Sequence, residues 1–570
     1  MPDAPAPAGQ AAPAGRAAPS DPAGRHLLLL VAVCALLFLP GAAGLPLTDP
    51  EESRCAQIVR EMIRSGDWLM PHLFGKPYFD KPAPFFWLAA AGEWLTGSAA
   101  LGGRAVAALA GLAAVLTTWL LGRRIFGATA GLAAGLALAT SLQFWYMARW
   151  YRMDMPFAAA MWAAIAWFWW CERRDGAAAV PRWVAWCGFY LFGALATLFK
   201  GPAGLGLPVL VVGGWLLLSG QPRRIAEFFD VRGIAVYLLV VLPWYVAVSL
   251  EVPAYAYQFL FRQNLMRFGS AEFGHTWPGI LFVPILLFGL LPWTVYLLPA
   301  VLRLAPRRWS ARAERPLVLG LWLAAIIPLA FFAFSKTKIV GYILPCFPPL
   351  AVLVGAVVGN WIDRGADDRL TRLAAPALVA AQILLWAAAA AVGIRLAGTG
   401  AWVAIAAAAC AAAAGMMVRS LARQRRRAFF AWAAAGFVGL LLFVAAYPAR
   451  AVYEQMSTRS LAAAVPAADR AGDDFVMWPK APISFAYYLD LPDPLRLHRI
   501  GRDDLQQVAG MLCGTGGVYV LVTGEGRLRE LDAQCPGRVR VAARSGDRWL
   551  VSNHALGTPA RSEAAGAARE

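Results

Sequence analysis

The chain has 570 residues, of which 59% are hydrophobic and 15% are charged, and its mean hydropathy is +0.55. A soluble protein of this length keeps about a quarter of its residues charged, so the composition excludes a soluble protein and a soluble domain with one anchor. The net charge of +18 comes from arginines that cluster between apolar runs, a pattern typical of membrane topology signals. We therefore expect a multi-pass membrane protein that contacts membrane lipids and binds no nucleic acid.

Residues 1–25 consist mainly of Pro, Ala and Gly and show no hydrophobic pattern, which predicts a disordered segment. Arg16 and Arg25 favour its retention in the cytoplasm. The apolar run 27–47 is long for a cleaved signal peptide, and we interpret it as a first, uncleaved helix. A signal peptide with a cleavage region at 41–44 is the alternative.

Twelve further apolar runs are each long enough to cross about 30 Å of hydrocarbon. They are residues 102–122, 128–147, 155–171, 183–199, 202–218, 234–250, 278–302, 316–334, 340–359, 373–394, 400–418 and 428–447. The even-numbered connections are rich in arginine and are predicted to be cytoplasmic, so the odd-numbered ones open on the outer side. The sequence thus predicts a membrane domain of about thirteen helices at 26–447, whose first outer loop is 48–101.

The tail of the chain, 448–570, is richer in charge and contains short strand-like runs. These are 474–478, 517–523, 538–544 and 548–552, with a helical run at 501–511. They predict a small extracytoplasmic α/β domain, in which Cys513 and Cys535 could pair in an oxidising compartment. The other six cysteines sit in or beside apolar runs and are predicted to be unpaired.

The first outer loop begins with Asp49-Pro50-Glu51-Glu52, a pattern typical of a helix start. Asp49 suits the N-cap and Glu52 completes a capping box. The helix that follows has one apolar stripe, which predicts that it lies flat on the membrane surface. The stripe consists of Cys55, Ile58, Val59, Met62 and Ile63. Capping leaves Glu51 without a structural role, so we interpret it as a functional acid.

Other charged side chains are predicted at the outer ends of the helices. Lys81 follows Asp80 between prolines and could hold a phosphate together with Arg54. Lys200 lies between two spans with almost no loop, and a charge at membrane depth indicates function. Asp154 precedes a span, where it either caps the helix or serves the site.

Two further outer segments carry candidate residues. His275 lies in the loop 251–277 and is of interest only if it reaches Asp80 or Glu51 to share a metal. Tyr342 follows two lysines at the start of another span. Together, the outer acids, cations and aromatics suit a lipid-linked phosphosugar. A transporter or flippase is the rival, but it does not explain why these charges concentrate on one side.

The residues that carry a family resemblance lie mostly in the first outer loop. They are TDPEESRCAQIVREMIRSGDWLMPHLFGKPYFDKPAPFFW at 48–87, KGP at 200–202, RFGSAEFGHTWP at 267–278 and FSKTKIVGYILPCFPPLAVL at 334–353. These segments resemble the ArnT-like glycosyltransferases, which have the GT-C fold and are related to protein O-mannosyltransferases. The resemblance implies an inner-membrane enzyme that moves 4-amino-4-deoxy-L-arabinose from undecaprenyl phosphate to lipid A on the periplasmic face, with inversion, and so gives polymyxin resistance.

The alternative within this class is another polyprenyl-phosphate sugar, of mannosyl type, transferred to protein or to an envelope glycan. The resemblance also implies roles for individual residues. Glu51 and Asp154 correspond to catalytic acids, Arg54, Lys81, Lys200 and Tyr342 to the donor-phosphate site, and Asp80 and His275 to ligands of a divalent cation. The family usually has Asp at position 51, Tyr at 55 and Glu at 80, and these departures indicate a shifted site or a different sugar.

Overall fold

The computed structural model describes residues 22–172, 180–266, 277–305, 316–365, 369–398, 400–491 and 496–554. Each of the thirteen predicted apolar runs contains helix. The helices are Ala23–Phe38, Ala99–Phe126, Ala128–Ala139, Leu142–Ala148, Asp154–Cys171, Arg182–Lys200, Ala203–Leu218, Val231–Glu251, Phe282–Gly289, Leu297–Leu304, Pro316–Phe334, Phe347–Arg364, Arg369–Ala397, Ala401–Ala422 and Arg426–Ala446. The predicted disorder of residues 1–25 falls largely outside the described residues.

Eight of the described helices, or nine if the bent pair Gly279–Gly289 and Trp293–Leu304 forms one span, are long and apolar enough to cross a membrane. Three shorter apolar helices, Ala23–Phe38, Ala128–Ala139 and Ala203–Leu218, accompany them. The chain is therefore a multi-pass helical membrane protein, as predicted. The number thirteen stays a prediction, as do the domain boundaries.

Small residues allow the helices near the first outer loop to pack closely. A Cβ atom on Gly102 would lie 2.2 Å from the backbone nitrogen of Glu93, so helices Pro84–Thr96 and Ala99–Phe126 meet backbone to backbone. Pro84–Thr96 is apolar but shorter than the membrane-length runs, which favours a place at the membrane interface, and it forms a 13-residue helix. This packing fixes the chain that follows Lys81 against the membrane domain.

The loop helix, Glu51–Ser65, differs in two respects from its prediction. It begins at Glu51, and within the described residues no side chain caps its N-terminus. The capping prediction is therefore wrong for Asp49, whose carboxylate accepts hydrogen bonds from Ser53 and from the backbone of Ser484 in the tail. Asp49 therefore bonds to Ser484, which is distant in the sequence, and does not cap the loop helix.

The buried face of the loop helix contains four of the five predicted stripe residues, Cys55, Ile58, Val59 and Met62, whereas Ile63 is 46% exposed. This face packs against Phe85 and Phe86 of helix Pro84–Thr96. The prediction of a helix lying on the membrane surface is incomplete, because the tail covers part of its polar face through Arg60 and Arg64.

Glu52 is fully buried in a network that joins the loop helix to the membrane domain. Its carboxylate accepts hydrogen bonds from Arg104 Nε and Nη2, at 2.8 and 2.7 Å, and from the backbone nitrogen and hydroxyl of Thr48, each at 3.0 Å. The backbone nitrogen of Tyr151 donates to it as well. Such a buried pair specifies one position for the helix, because each charge depends on the other.

The tail domain, residues 448–554 in the described part, contains a five-stranded sheet. Its strands are β3 (Asp474–Trp478), β4 (Leu497–Arg499), β5 (Val518–Thr523), β6 (Arg540–Ser545) and β7 (Arg548–Ser552), after a short hairpin of β1 (His72–Leu73) and β2 (Lys76–Pro77) in the first outer loop. The order is β4-β3-β5-β7-β6, in which β4, β3 and β5 are parallel and β7 pairs antiparallel with β5 and β6.

Helices pack on both faces of this sheet. Successive side chains of β3 and β5 point to opposite faces, so each face has its own apolar cluster. Arg459–Ala463 and Ile483–Leu489 pack on one face, and Leu505–Leu512 and Glu525–Gln534 pack on the other. The tail also contains the short helices Pro448–Gln455 and Asp469–Gly472. The four predicted strands and the predicted helix are confirmed, and β4 was missed. Cys513 and Cys535 form a disulfide, and the other six cysteines, all described, are free as predicted.

Replacing Glu52 with Ala should lower the unfolding temperature of the detergent-purified protein sharply. Arg104 would be left buried without its counter-ion, which costs about 3–5 kcal/mol. Thermal unfolding followed by intrinsic fluorescence measures this loss. Lys76→Ala, on an exposed strand of the same loop, is the control and should change stability little. Equal unfolding temperatures for the two variants would contradict the assignment.

Candidate functional site

Glu51 lies at the first residue of the loop helix, and its carboxylate is 21% exposed. Arg54, one turn further along the same helix, places its Nη1 atom 3.3 Å from Glu51 Oε1. Arg152, from the turn before helix Asp154–Cys171, places its Nε atom 3.7 Å from Glu51 Oε2. Glu51 thus contacts two guanidinium groups while remaining partly open.

Asp154 is 1% exposed and pairs with two cations. Its Oδ2 atom lies 2.6 Å from Arg152 Nε, and its Oδ1 atom lies 2.5 Å from Lys200 Nζ. Within the described residues its side chain caps no helix, so the capping alternative is wrong, and a role in the site stays a prediction. A Cβ on Gly341 would lie 3.2 Å from Asp154 Oδ1, which leaves little room between the two segments.

Lys200 ends helix Arg182–Lys200, and Gly201 after it adopts φ of +114°, a conformation suited to glycine. The ammonium group lies 4.5 Å from the ring centre of Tyr342 and 5.0 Å from that of Phe157. These are cation–π distances. The lysine is therefore held between an acid and two rings at the end of its helix.

Tyr78 is close enough to interact electrostatically with both Arg54 and Asp80. Burial opposes the charge on Arg54, but Glu51 and Tyr78 outweigh it and raise the pKa of the guanidinium. Burial, assisted by Asp80, raises the pKa of the Tyr78 hydroxyl well above its usual range. A tyrosine hydroxyl is protonated at neutral pH even without such a shift. Tyr78 can therefore donate a hydrogen bond in the site.

Lys81 donates a hydrogen bond of 2.9 Å to the backbone oxygen of Asp80, and its charge is near enough to interact with Asp154. The predicted residues Glu51, Asp154, Arg54, Lys81, Lys200 and Tyr342 thus meet in one region, with Asp80 beside it. Their individual roles stay predictions. His275 lies outside the described residues.

Sequence reasoning missed Arg152, which bridges the two acids. Burial opposes its charge, but Asp154 and Glu51 prevail and raise the pKa of the guanidinium. A signal was present, because a charge near membrane depth requires a partner and Arg152 stands two residues before Asp154. Arg149, three positions earlier, is structural: it donates to backbone oxygens at the end of the first helix, Leu37 and Pro40.

The result is a row of alternating charges, Arg54–Glu51–Arg152–Asp154–Lys200, which we call the ion-pair network. With Lys81 and Asp80 beside it, the described residues of the site supply four cations and three carboxylates. One positive charge is in excess. Because forked guanidinium and ammonium donors suit phosphate oxygens, the arrangement favours an anionic phosphorylated ligand.

The predicted cation at Asp80 and His275 stays a prediction. Asp80 alone offers one carboxylate, whereas a divalent cation in a protein takes several ligands. Among the described residues, one group of three side chains lies close enough to share an ion, and it is in the tail domain. It consists of Asp469, Asp473 and His554. The carboxylates Glu51 and Asp154 are already engaged by basic groups.

Known proteins match this chain over most of its length. The family model described as dolichyl-phosphate-mannose-protein mannosyltransferase matches residues 80–246. The undecaprenyl phosphate-alpha-4-amino-4-deoxy-L-arabinose arabinosyl transferase 1 of Sodalis glossinidius is 31% identical over 438 residues, 74% of this chain and 75% of the relative. The corresponding transferase of Edwardsiella ictaluri is 33% identical over 335 residues, and the match spans 58% of each chain.

Two solved structures have a similar fold. The crystal structure of ArnT from Cupriavidus metallidurans bound to undecaprenyl phosphate superposes with a TM-score of 0.72 at 23% sequence identity. The match covers 94% of this chain and 99% of that one. The apo form of the same protein gives a TM-score of 0.71. These similarities agree with the predicted GT-C fold.

Asp154→Asn should destabilise the protein more than Arg152→Gln. Removing Asp154 leaves Arg152 and Lys200 buried without their shared acid, while Glu51 is already paired with Arg54. An uncompensated buried charge costs about 3–5 kcal/mol. Removing Arg152 leaves two balanced pairs, Glu51 with Arg54 and Asp154 with Lys200. Unfolding temperatures of the purified variants test this order, and the reverse order would contradict the assignment of the ion-pair network.

Proposed function

Because the chain belongs to the family of undecaprenyl phosphate-alpha-4-amino-4-deoxy-L-arabinose arabinosyl transferases, we propose that it is a glycosyltransferase with this activity. The sugar moves from undecaprenyl phosphate to lipid A on the periplasmic face of the inner membrane. The observation that carries the proposal is the ion-pair network with its excess positive charge, which lies beside apolar helices that suit a lipid tail. A phosphate carried on a long lipid is a ligand that needs both the positive charge and the apolar surface.

The donor phosphate meets Lys81, Lys200 and Tyr342, with Arg54 nearby. The acceptor oxygen attacks C1 of the sugar, the C1–O bond breaks, and its electron pair stays on the phosphate of undecaprenyl phosphate. Negative charge grows on that phosphate in the transition state. Fixed cations stabilise this charge more than the ground state, and each contact contributes about 2–4 kcal/mol. A single displacement inverts the configuration at C1.

The two acids have different roles in this proposal. Asp154 is buried and held at 2.5–2.6 Å by Lys200 and Arg152, so it orients these cations. Glu51 is more exposed, and its ion pairs are longer, so it faces the acceptor. With a hydroxyl acceptor, Glu51 takes the proton. A lipid A phosphate is already ionised and requires only positioning, which Glu51 provides by orienting Arg152, a forked donor to that phosphate.

The periplasmic location of the site and of the tail domain has two supports. The arginine-rich connections alternate with the site-bearing ones along the sequence. The Cys513–Cys535 disulfide suits an oxidising compartment. The divalent cation at Asp80 and His275 remains part of the proposal, and none of the steps above depends on it.

A second candidate is the transfer of a polyprenyl-phosphate-linked mannosyl sugar to a protein or an envelope glycan. It is favoured by the match of residues 80–246 to the mannosyltransferase family model. The residues that contact the donor phosphate would be the same in both cases. The two candidates therefore differ in sugar and acceptor and share the chemistry at C1.

Deleting the gene should remove the aminoarabinose modification from lipid A and leave the lipid-linked sugar donor to accumulate. Mass spectrometry of lipid A and of polyprenyl phosphosugars, from cells with and without the gene, measures both. Unchanged lipid A together with the loss of another glycan would support the second candidate. No change in any glycan would contradict the enzyme proposal.

Glu51→Gln and Lys81→Ala should each reduce sugar transfer by about 10²–10³-fold, as expected when a transition-state contact is lost. Membrane insertion and the amount of purified protein should not change. Transfer to lipid A by the purified variants measures the effect, with Lys76→Ala in the same loop as the control. Full activity in Glu51→Gln would return that residue to a structural role.

A further inference from the structure

The tail domain contacts the helix that carries Glu51. Its short helix Ile483–Leu489, which we call the tail helix, lies against the loop helix and reaches both of its ends. The tail domain otherwise has no part in the proposed chemistry. This contact links it to the first residue of the site.

At the N-terminal end, the contact is a pair of hydrogen bonds from Ser484 to Asp49. The backbone nitrogen of Ser484 lies 2.7 Å from Asp49 Oδ1, and its hydroxyl donates to Asp49 Oδ2. Ser484 is fully buried. Asp49 also accepts a hydrogen bond from Ser53, inside the first turn of the loop helix. The serine therefore fixes the chain two residues before Glu51.

At the other end, two arginines of the loop helix share one carboxylate of the tail. Arg64 Nη2 lies 2.8 and 2.9 Å from the two oxygens of Asp490, and Arg60 Nη1 lies 3.0 Å from Asp490 Oδ1. Arg60 also donates to the backbone oxygen of Tyr487 and lies over its ring, 3.6 Å from the centre. Contacts at both ends restrain the helix against sliding and against rotation about its axis.

Restraint matters because Glu51 has little tolerance for displacement. Its ion pair with Arg152 is 3.7 Å long, near the limit for such a contact, and Arg152 is itself fixed by Asp154 at 2.6 Å. A movement of about 1 Å in a catalytic group is enough to reduce a rate about 100-fold. A shift of the loop helix would change the distance between Glu51 and its arginine partner.

We infer that the tail domain is a positioning element for the transfer reaction, with Ser484 and Asp490 as positioning residues that act on Glu51 through the loop helix. This inference rests on the proposed function. It assigns the tail domain a task in catalysis, in addition to any task in binding the acceptor. Arg64 and Asp490 are partly exposed, so their loss costs little stability, and an effect on rate is separable from unfolding.

The first measurement is steady-state transfer by the full-length protein in lipid nanodiscs. Asp490→Ala, Arg64→Ala and Ser484→Ala should reduce kcat by about 10–100-fold, with the KM for the lipid-linked donor within about twofold of the unchanged protein. The donor phosphate meets Lys81, Lys200 and Tyr342, which lie outside the loop helix, and Arg54 of that helix is near the phosphate without being one of these three contacts. Asp490→Glu, which keeps the carboxylate, should recover most of the rate. Asp532→Ala, at an exposed site of the tail, is the control.

The second measurement is hydrogen–deuterium exchange over residues 48–58, which requires no activity. Exchange should rise in Asp490→Ala and Ser484→Ala and stay unchanged in Asp532→Ala. If the unchanged protein transfers no sugar, the proposed function fails, whereas exchange still tests the restraint. Unchanged exchange would overturn the inference. So would increased exchange with unchanged kcat, or a loss that appears in KM alone.

Discussion

Acidic side chains buried near a membrane require cationic partners, and the site of this protein is built on that requirement. Asp154 has almost no exposure, yet it carries a carboxylate that two cations hold at 2.5–2.6 Å. One of these, Arg152, continues to Glu51, which in turn meets Arg54. Three distant segments of the chain meet here, where these charges neutralise one another and where a buried apolar cluster joins the same segments. The fold brings these charged side chains together. The one positive charge in excess of the carboxylates can then neutralise a charge on a ligand.

The two neighbouring glutamates of the loop helix show how one short motif serves both stability and chemistry. Glu52 points into the protein, where Arg104 and Thr48 satisfy its oxygens. Glu51, rotated by about 100° on the helix, points toward the site and stays partly open. The buried glutamate fixes the helix from the membrane side, and the tail fixes it from the other side. The functional acid is held between these two attachments.

The sequence was most informative where structure follows from local hydrophobicity. Apolar runs predicted the membrane helices, and alternating residues predicted four tail strands, while β4 was missed because Leu-His-Arg is short and polar. Charge at membrane depth singled out Lys200, and the structure places its ammonium group against Asp154. Prediction failed where partners are remote. Asp49 resembled an N-cap, but its partner Ser484 is 435 residues away. Arg152 was missed because it bridges two acids, and one of them, Glu51, lies far from it in the sequence. A single sequence contains no signal for such remote pairs, although the place of Arg152 two residues before Asp154 was a signal for the local pair.

The most direct test of the account is an experimental structure of the protein with undecaprenyl phosphate bound, by electron cryomicroscopy in nanodiscs. We expect the phosphate within hydrogen-bonding distance of Lys200 and Lys81, beside the Tyr342 ring, with Arg152 still between Glu51 and Asp154. A phosphate bound away from these lysines, or a Glu51 and an Asp154 too far apart to share Arg152, would contradict the central claim that a paired array of buried charges forms the lipid-phosphate site.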